Sequence, residues 1–191
     1  MIEVLDDVIP LSYQEEIKRN LLDITFPWFY VSDITYAQNK SAPAVSHLFV
    51  LDGQIKSHYW NALTPIAHFA CAKLNYNVKR IVNARTFLQF PLNDKMGVDL
   101  VDRLHIDIPE QHAVVLYYVL DSDGDTIIVD KMHTGNNFDP NATEYTVDKF
   151  PILKKVTPKQ GRVVVFDGRL YHTAEQPQQN MRCVININVK V

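Results

Sequence analysis

A histidine and an aspartate stand two residues apart at His105 and Asp107, in the stretch Leu104-His105-Ile106-Asp107-Ile108 that Pro109 ends. The alternation of apolar and polar residues predicts a short strand over 104–108, and residues two apart in a strand share a face. An imidazole nitrogen and a carboxylate oxygen side by side are two of the three donors of a 2-His-1-carboxylate site, the set that suits non-haem Fe(II). The third donor must come from elsewhere, and His172 is the best candidate. Three protein ligands leave three open positions on an octahedral ion, enough for a bidentate 2-oxoacid and dioxygen. A 2-oxoacid with a distal carboxylate also needs a buried cation. Arg182, ten residues after His172, opens the last apolar stretch with a planar fork that matches a carboxylate. Counting by two from Arg182 puts Val184, Asn186 and Asn188 on its face. Polar Asn186 and Asn188 there predict a lined cavity rather than a dry core, with Asn186 a candidate cosubstrate contact.

Each of these residues also has a bland reading. A lone histidine on a strand is more often structural than a ligand. Asp107 before Ile108-Pro109 suits a turn cap, and Arg182 suits a surface ion pair. Tyr117 and Tyr118 read first as core aromatics. The agreement of independent signals at His105, Asp107, His172 and Arg182 favours the metal reading. His47, His58, His68, His112 and His133 have no partner at ligand spacing and read as structural. Arg85 and Arg103 are candidate substrate-binding cations, with exposed ion pairing the favoured role.

Around these residues, 2–5 has the pattern of an edge strand. Ser12-Tyr13-Gln14-Glu15 has the form of a capping box, and Ile17, Leu21 and Leu22 follow at helical spacing, predicting a helix over 12–23. Phe26-Pro27-Trp28-Phe29-Tyr30 is an aromatic patch without helical period, expected to pack this helix onto the rest; the alternative sets part of it over the site mouth. Residues 33–46 are polar, and His47-Leu48-Phe49-Val50 reads as a strand. Ile55, Tyr59, Ala62, Leu63, Ile66, Ala70 and Leu74 mark a second helix to about residue 75. Pro65 should kink or split it, with Thr64 capping the second segment. From residue 80 the period becomes two, predicting strands over 80–90, 104–108, 113–120, 126–130, 152–156, 162–166, 170–173 and 182–191. Short strands so spaced argue for a β-sandwich or jelly roll. Asp121-Ser122-Asp123-Gly124-Asp125 reads as a hairpin turn; as a calcium loop it fails, with its glycine misplaced and no glutamate at the twelfth position. The long polar segment 131–150 has the length of a functional loop.

The chain has 191 residues, 47% hydrophobic and 21% charged, with a formal net charge of −3. This composition predicts one globular domain over 1–191, with helical support and the aromatic loop over 1–79 and a β core over 80–191. No basic block is present, which disfavours a nucleic-acid partner. Cys71 and Cys183, far apart and without a signal-peptide pattern, read as reduced thiols of a cytoplasmic protein. The longest apolar run, 113–120, is too short to cross a bilayer, so no membrane association is expected.

The ordered set His105-x-Asp107, Gly124-Asp125-Thr126, Gly161-Arg162-x-x-x-Phe166, His172 and Arg182 resembles the Fe(II)/2-oxoglutarate-dependent dioxygenases. It is most similar to the prolyl-hydroxylase-like branch, including small members met in phage genomes, over residues 80–191. The resemblance implies a mainly β fold with flanking helices, a double-stranded β-helix of the cupin-like jelly-roll kind. It implies Fe(II), 2-oxoglutarate as cosubstrate and dioxygen, and hydroxylation of a C–H bond with release of succinate and CO2, prolyl hydroxylation among the activities. His105, Asp107 and His172 match the iron ligands, and Arg182 the group that holds the distal carboxylate. Tyr117-Tyr118-Val119-Leu120 resembles a strand whose tyrosine joins that arginine; Tyr118 aligns better, and Tyr117, facing the other way, stays open. Thr126 matches a turn threonine beside the cosubstrate. Asp123-Gly124 stands where the family has Gly-Gly, and Arg85 or Gln89 where a tyrosine is common. An intact Asp107 favours hydroxylation over halogenation. Two rival readings remain: a cupin-like hydrolase or isomerase using Zn(II) or Mn(II), against which Arg182 argues, and a silent β-helix binding module, against which the triad argues. The substrate, a peptide or a small molecule, is not specified by these residues; for a phage-encoded chain the location would be the host cytoplasm.

Overall fold

Period-two patterning becomes two antiparallel sheets in a computed structural model that describes residues 1–32, 34, 42–92, 100–135, 137–139 and 141–191. Parts of the predicted polar stretch 33–46 and of the segment 131–150 lie outside the described residues. The elements run β1 (Ile2–Leu5), α1 (Leu11–Leu21), β2 (Phe29–Val31), β3 (Ala44–Leu51), β4 (Gln54–Ile55), α2 (Trp60–Lys73), β5 (Arg80–Gln89), β6 (Ala113–Tyr118), β7 (Thr126–Met132), β8 (Ile152–Val156), β9 (Val163–Asp167), β10 (Leu170–Ala174) and β11 (Arg182–Lys190). The larger sheet has the order β1-β9-β6-β11-β5-β3-β2, with β4 on β3, and the smaller β10-β7-β8. The two sheets face each other as a jelly roll, with both helices against the larger one.

Strand parity sorts the side chains. Ala113, Val115 and Tyr117 of β6, Val163 and Val165 of β9, and Ile185, Ile187 and Val189 of β11 pack with Ile17 and Leu21 of α1 and Leu63, Ile66 and Ala70 of α2. Their neighbours Val114, Leu116, Tyr118, Val164, Phe166 and Val184 point between the sheets, against Ile128, Val156 and Leu170. Each fully buried Val, Leu or Ile contributes about 1.5–3 kcal/mol, so this two-sided burial holds the register. Phe26 is buried against Trp28, His47, Phe49 and Tyr59, and Trp28 Nε1 donates to Leu21 O. The aromatic patch thus packs α1 onto the sheet, as preferred from sequence.

Four local expectations are corrected. α1 starts at Leu11 after Pro10, with no side-chain cap, so Ser12 lies inside the first turn and forms no capping box. Gln14 instead is buried and donates to Asp7 Oδ1 and Ile9 O. α2 runs unbroken through Pro65. The proline removes one N–H early in the helix, Thr64 Oγ1 donates to Trp60 O at 3.0 Å, and the buried Leu63, Ile66, Ala67 and Ala70 hold the following turns. Residues 121–125 do not close a hairpin, because β6 and β7 belong to different sheets. The turn crosses between them, and the Asp123 carboxylate ties it to the approach to β11 by accepting the N–H groups of Gln178, Gln179 and Asn180. Residues 104–108 do not form a strand: the segment meets β10 at the isolated bridge His105–His172, and the chain before it pairs Val101 with Glu175. Leu104 N donates instead to Tyr145 O. No described helix is long and apolar enough to cross a membrane.

Candidate active site

The bridge that replaces the predicted strand sets two of the candidate ligands face to face. His105 N donates to His172 O and His172 N to His105 O, both at 3.0 Å, which brings the rings to 4.7 Å between centroids. His105 Nδ1 lies 3.2 Å from Arg103 O, and His172 Nδ1 lies 3.0 Å from Leu170 O. A carbonyl oxygen only accepts, so each Nδ1 carries a proton, and Nε2 is the nitrogen of each ring that would face a metal. Burial, then the field of His172, pushes His105 down from 6.5 to about 4, so the ring is neutral at pH 7.

Asp107 completes the group. The ligand atoms of His105, Asp107 and His172 all lie within 4.8 Å of one another, with Asp107 Oδ2 3.8 Å from His172 Nε2. Metal–ligand bonds of about 2 Å bring such a set onto one ion with small side-chain movement. Its carboxylate, 1% exposed, accepts from Asn188 Nδ2 at 2.8 Å, Asn186 Nδ2 at 3.1 Å and Arg85 Nη2 at 3.2 Å. Burial works against the charge, but His172, Arg85, His105 and the Asn186 amide outweigh it and hold the pKa below the usual carboxylate range. The carboxylate is therefore ionised and oriented, as a metal ligand must be. Two imidazoles and one carboxylate with neighbouring space fit Fe(II), and would also accept Zn(II).

Arg182 stands at the other end of a narrow cavity of about 60 Å3 that also touches His105, His172, Thr126 and Asn186. It is 4% exposed. Nε donates to Gly124 O at 2.9 Å, Nη1 to Gln89 Oε1 at 2.8 Å and Nη2 to Thr126 Oγ1 at 2.9 Å. These bonds use three of the five N–H groups of a guanidinium, and all three acceptors are uncharged. Among the described residues Arg182 makes no ion pair. Burial lowers its pKa from the ordinary arginine value, yet a guanidinium stays charged in a protein. Tyr118 donates to Thr126 Oγ1 at 2.8 Å, and burial pushes its pKa up to about 12. Thr126 Oγ1 thus accepts twice, and its own hydrogen has no acceptor among the described residues. Tyr117 lies on the helix side with its hydroxyl unpartnered among the described residues.

The structure therefore gathers His105, Asp107 and His172 at one point, and Arg182, Thr126 and Tyr118 at another. Asn186 lines the cavity between them but gives its amide to Asp107. The sequence offers Arg85 as a substrate-binding cation, Gln89 in place of a tyrosine and Asn188 as a cavity-lining residue, but not their bonds to Asp107 and Arg182. Their signal is register: Arg182 pairs with Gln89 and Asn186 with Arg85 across β11 and β5. Face counting on one strand alone does not reveal such pairs. His47, bonded to Pro27 O and Ser57 Oγ, is structural as read.

No protein-family model matches the chain, and no curated protein matches it in sequence. Solved structures do match in fold. An oxidoreductase of the 2OG-Fe(II) oxygenase family from Burkholderia pseudomallei superposes with a TM-score of 0.67 at 13% identity, covering 99% of this chain and 84% of that one. A prolyl hydroxylase from Trichoplax adhaerens, solved with a hypoxia inducible factor peptide fragment, gives 0.62 at 15% identity, over 98% and 82%. The epimerase SnoN, in complex with Fe3+, alpha ketoglutarate and nogalamycin RO, gives 0.64 at 14% identity, over 98% and 78%. The fold is thus the double-stranded β-helix expected from sequence.

Proposed function

We propose that this chain is an Fe(II)- and 2-oxoglutarate-dependent dioxygenase that hydroxylates a C–H bond of an organic substrate. The observation that carries this reading is Arg182: a buried guanidinium with no carboxylate at ion-pair distance and two unspent N–H groups among the described residues, in a cavity that reaches His105 and His172 of the two-histidine, one-carboxylate cluster. A buried charge without a direct partner costs several kcal/mol; the fields of Asp102 and Asp125 offset part of that cost, and the distal carboxylate of 2-oxoglutarate would supply the direct partner. A hydrolytic metal site has no use for such a group at that place.

His105, Asp107 and His172 would hold Fe(II), which supplies the redox chemistry with dioxygen that no protein side chain offers. The two free N–H groups of Arg182 and the hydroxyl hydrogen of Thr126 would bind the distal carboxylate, and Tyr118 orients Thr126. Asn186, Asn188 and Arg85 fix the Asp107 carboxylate. Phe166, whose ring lies 4.9 Å from that of His172, with Val114, Leu116 and Val184 keeps the inner cavity apolar and excludes water. One oxygen atom of dioxygen ends in succinate and the other in the product hydroxyl, with CO2 released. The two cysteines are buried and unpaired, which supports a reducing, cytoplasmic location.

An anaerobic titration with Fe(II) and 2-oxoglutarate tests this reading. Chelation of a 2-oxoacid to Fe(II) gives a weak visible charge-transfer band, expected in the wild type and lost in Asp107→Ala. Iron binding without the band would leave a metal site of another chemistry and move the hydrolase reading ahead.

A further inference from the structure

Beside the narrow cavity lies a wider one of about 470 Å3 that opens on His105 and Asp107 and is lined by Arg85, Arg103, Leu104, Ile106, Phe138 and Tyr171, among others. The two cavities meet at the candidate metal ligands: His105 borders both. At the wall of the wide cavity stands Tyr171, 0% exposed, whose hydroxyl has no hydrogen-bond partner among the described residues. A more polar space of about 360 Å3 shares Phe138, Asp139 and Tyr171 with it. That space holds His133, 5% exposed, and its Nε2 is likewise unpartnered among the described residues. A buried donor or acceptor left unmatched carries its full desolvation cost. Two in adjoining spaces mark a place built to receive polar atoms from outside the chain.

The end nearest the triad is cationic. The Arg85 guanidinium lies 3.2 Å from Asp107 Oδ1 and 5.0 Å from the centre of the Phe87 ring. A metal ion on Asp107 would offset the carboxylate charge that Arg85 now balances, so that Arg85, still hydrogen-bonded to Oδ1, would keep positive charge for a second anion. Arg103 adds a second positive charge, in the field of Asp148. Asp139 also borders the cavity, but its oxygens accept from Asn141 N at 2.9 Å and the Tyr145 hydroxyl at 2.8 Å. Between the cationic end and Tyr171 the wall is apolar, with Leu104 and Ile106.

We propose that the wide cavity is the substrate chamber and takes a small organic carboxylate with an apolar body. Its carboxylate lies against Arg85 and Arg103, its body along Leu104, Ile106 and Phe138, and a hydroxyl or carbonyl at its far end meets Tyr171. The assignment of this molecule as the one hydroxylated rests on the dioxygenase reading; its binding does not.

Calorimetric titration of the Fe(II)- and 2-oxoglutarate-loaded protein without oxygen tests the chamber with matched pairs: phenylacetate, 4-hydroxyphenylacetate and N-acetylleucine, each against its amide. Each acid should bind about tenfold more tightly than its amide, and Arg103→Gln should close most of that gap. 4-Hydroxyphenylacetate should bind about fivefold more tightly than phenylacetate, and Tyr171→Phe should abolish the advantage. Tyr171→Phe loses no hydrogen bond among the described residues, so it should fold normally. Amides that match the acids in all three pairs overturn the proposal, as does a hydroxyl preference that survives Tyr171→Phe. Binding of a proline-containing peptide where none of the acids binds overturns it too. The charge-transfer band is read on the same samples. A band without acid preference sinks the chamber and spares the dioxygenase reading; acid preference without a band does the reverse.

Discussion

Arg182→Met separates a cosubstrate anchor from a structural arginine. Among the described residues, three of the five guanidinium N–H groups go to Gly124 O, Gln89 Oε1 and Thr126 Oγ1, so two remain for the two oxygens of a carboxylate. Each charge-assisted bond contributes about 1.5–3 kcal/mol, a gross loss of roughly 3–6 kcal/mol when both go. Part is offset, because methionine also relieves the ligand-free protein of a buried charge that has no carboxylate in direct contact among the described residues. The net expectation is a loss of about 2–4 kcal/mol, or roughly 30- to 1000-fold in the dissociation constant of 2-oxoglutarate. Arg182→Lys keeps the charge and loses the fork, and should weaken binding about 10- to 30-fold. The assay is the anaerobic charge-transfer titration, run in parallel with 2-oxobutyrate, which chelates iron alike but has no distal carboxylate. Its affinity should change by no more than about threefold in either variant. Circular dichroism confirms that the variants are folded. Equal losses for the two oxoacids would refute the reasoning, since Arg182 would then act through the fold and not through the distal carboxylate.

Strand parity predicts opposite outcomes for adjacent tyrosines. Tyr118→Phe, which removes the donor to Thr126, should weaken 2-oxoglutarate about three- to tenfold in the same titration. Tyr117→Phe, on the helix side with a hydroxyl unpartnered among the described residues, should leave that affinity unchanged and not lower the midpoint of urea unfolding. Gly124→Ala should cost about 1–3 kcal/mol in urea unfolding and weaken 2-oxoglutarate, because its Cβ would lie 2.6 Å from Glu175 O and 3.1 Å from Arg182 Cδ. For the metal-free protein, the folded-state pKa of His105 falls from 6.5 to about 4 through burial and then the field of His172. Its contribution, up to about 3 kcal/mol, is present above pH 6.5 and is lost as the pH falls through 4. His105→Gln should flatten that part of the urea-unfolding profile between pH 6.5 and 4; parallel profiles for the two proteins would remove the histidine from the account.

The residues of the candidate metal site were legible because their signal is local. Apolar and polar alternation puts His105 and Asp107 on one side of the chain whether or not a ladder forms, and here a single bridge to His172 suffices. Arg182, Asn186 and Asn188 share a face for the same reason, as β11 is regular over them. The capping box failed because Pro10 already starts α1 and Gln14 is drawn inward. The break at Pro65 failed because the burial of Leu63, Ile66 and Ala67 outweighs one missing N–H. The turn at 121–125 was misassigned because aspartate and glycine set a bend without setting which sheet the chain enters next.

By itself, then, the sequence determined the periodicities, and with them which side chains travel together along each strand; that follows from backbone geometry alone. Which face turns inward, and what stands opposite, is long-range pairing. It seats Tyr118 rather than Tyr117 beside Thr126 and Arg182, sets Gln89 against Arg182, brings Arg85 and two asparagines onto Asp107, and leaves Tyr171 facing a cavity. Those contacts join segments far apart in the chain, and only the burial of two packed sheets specifies them.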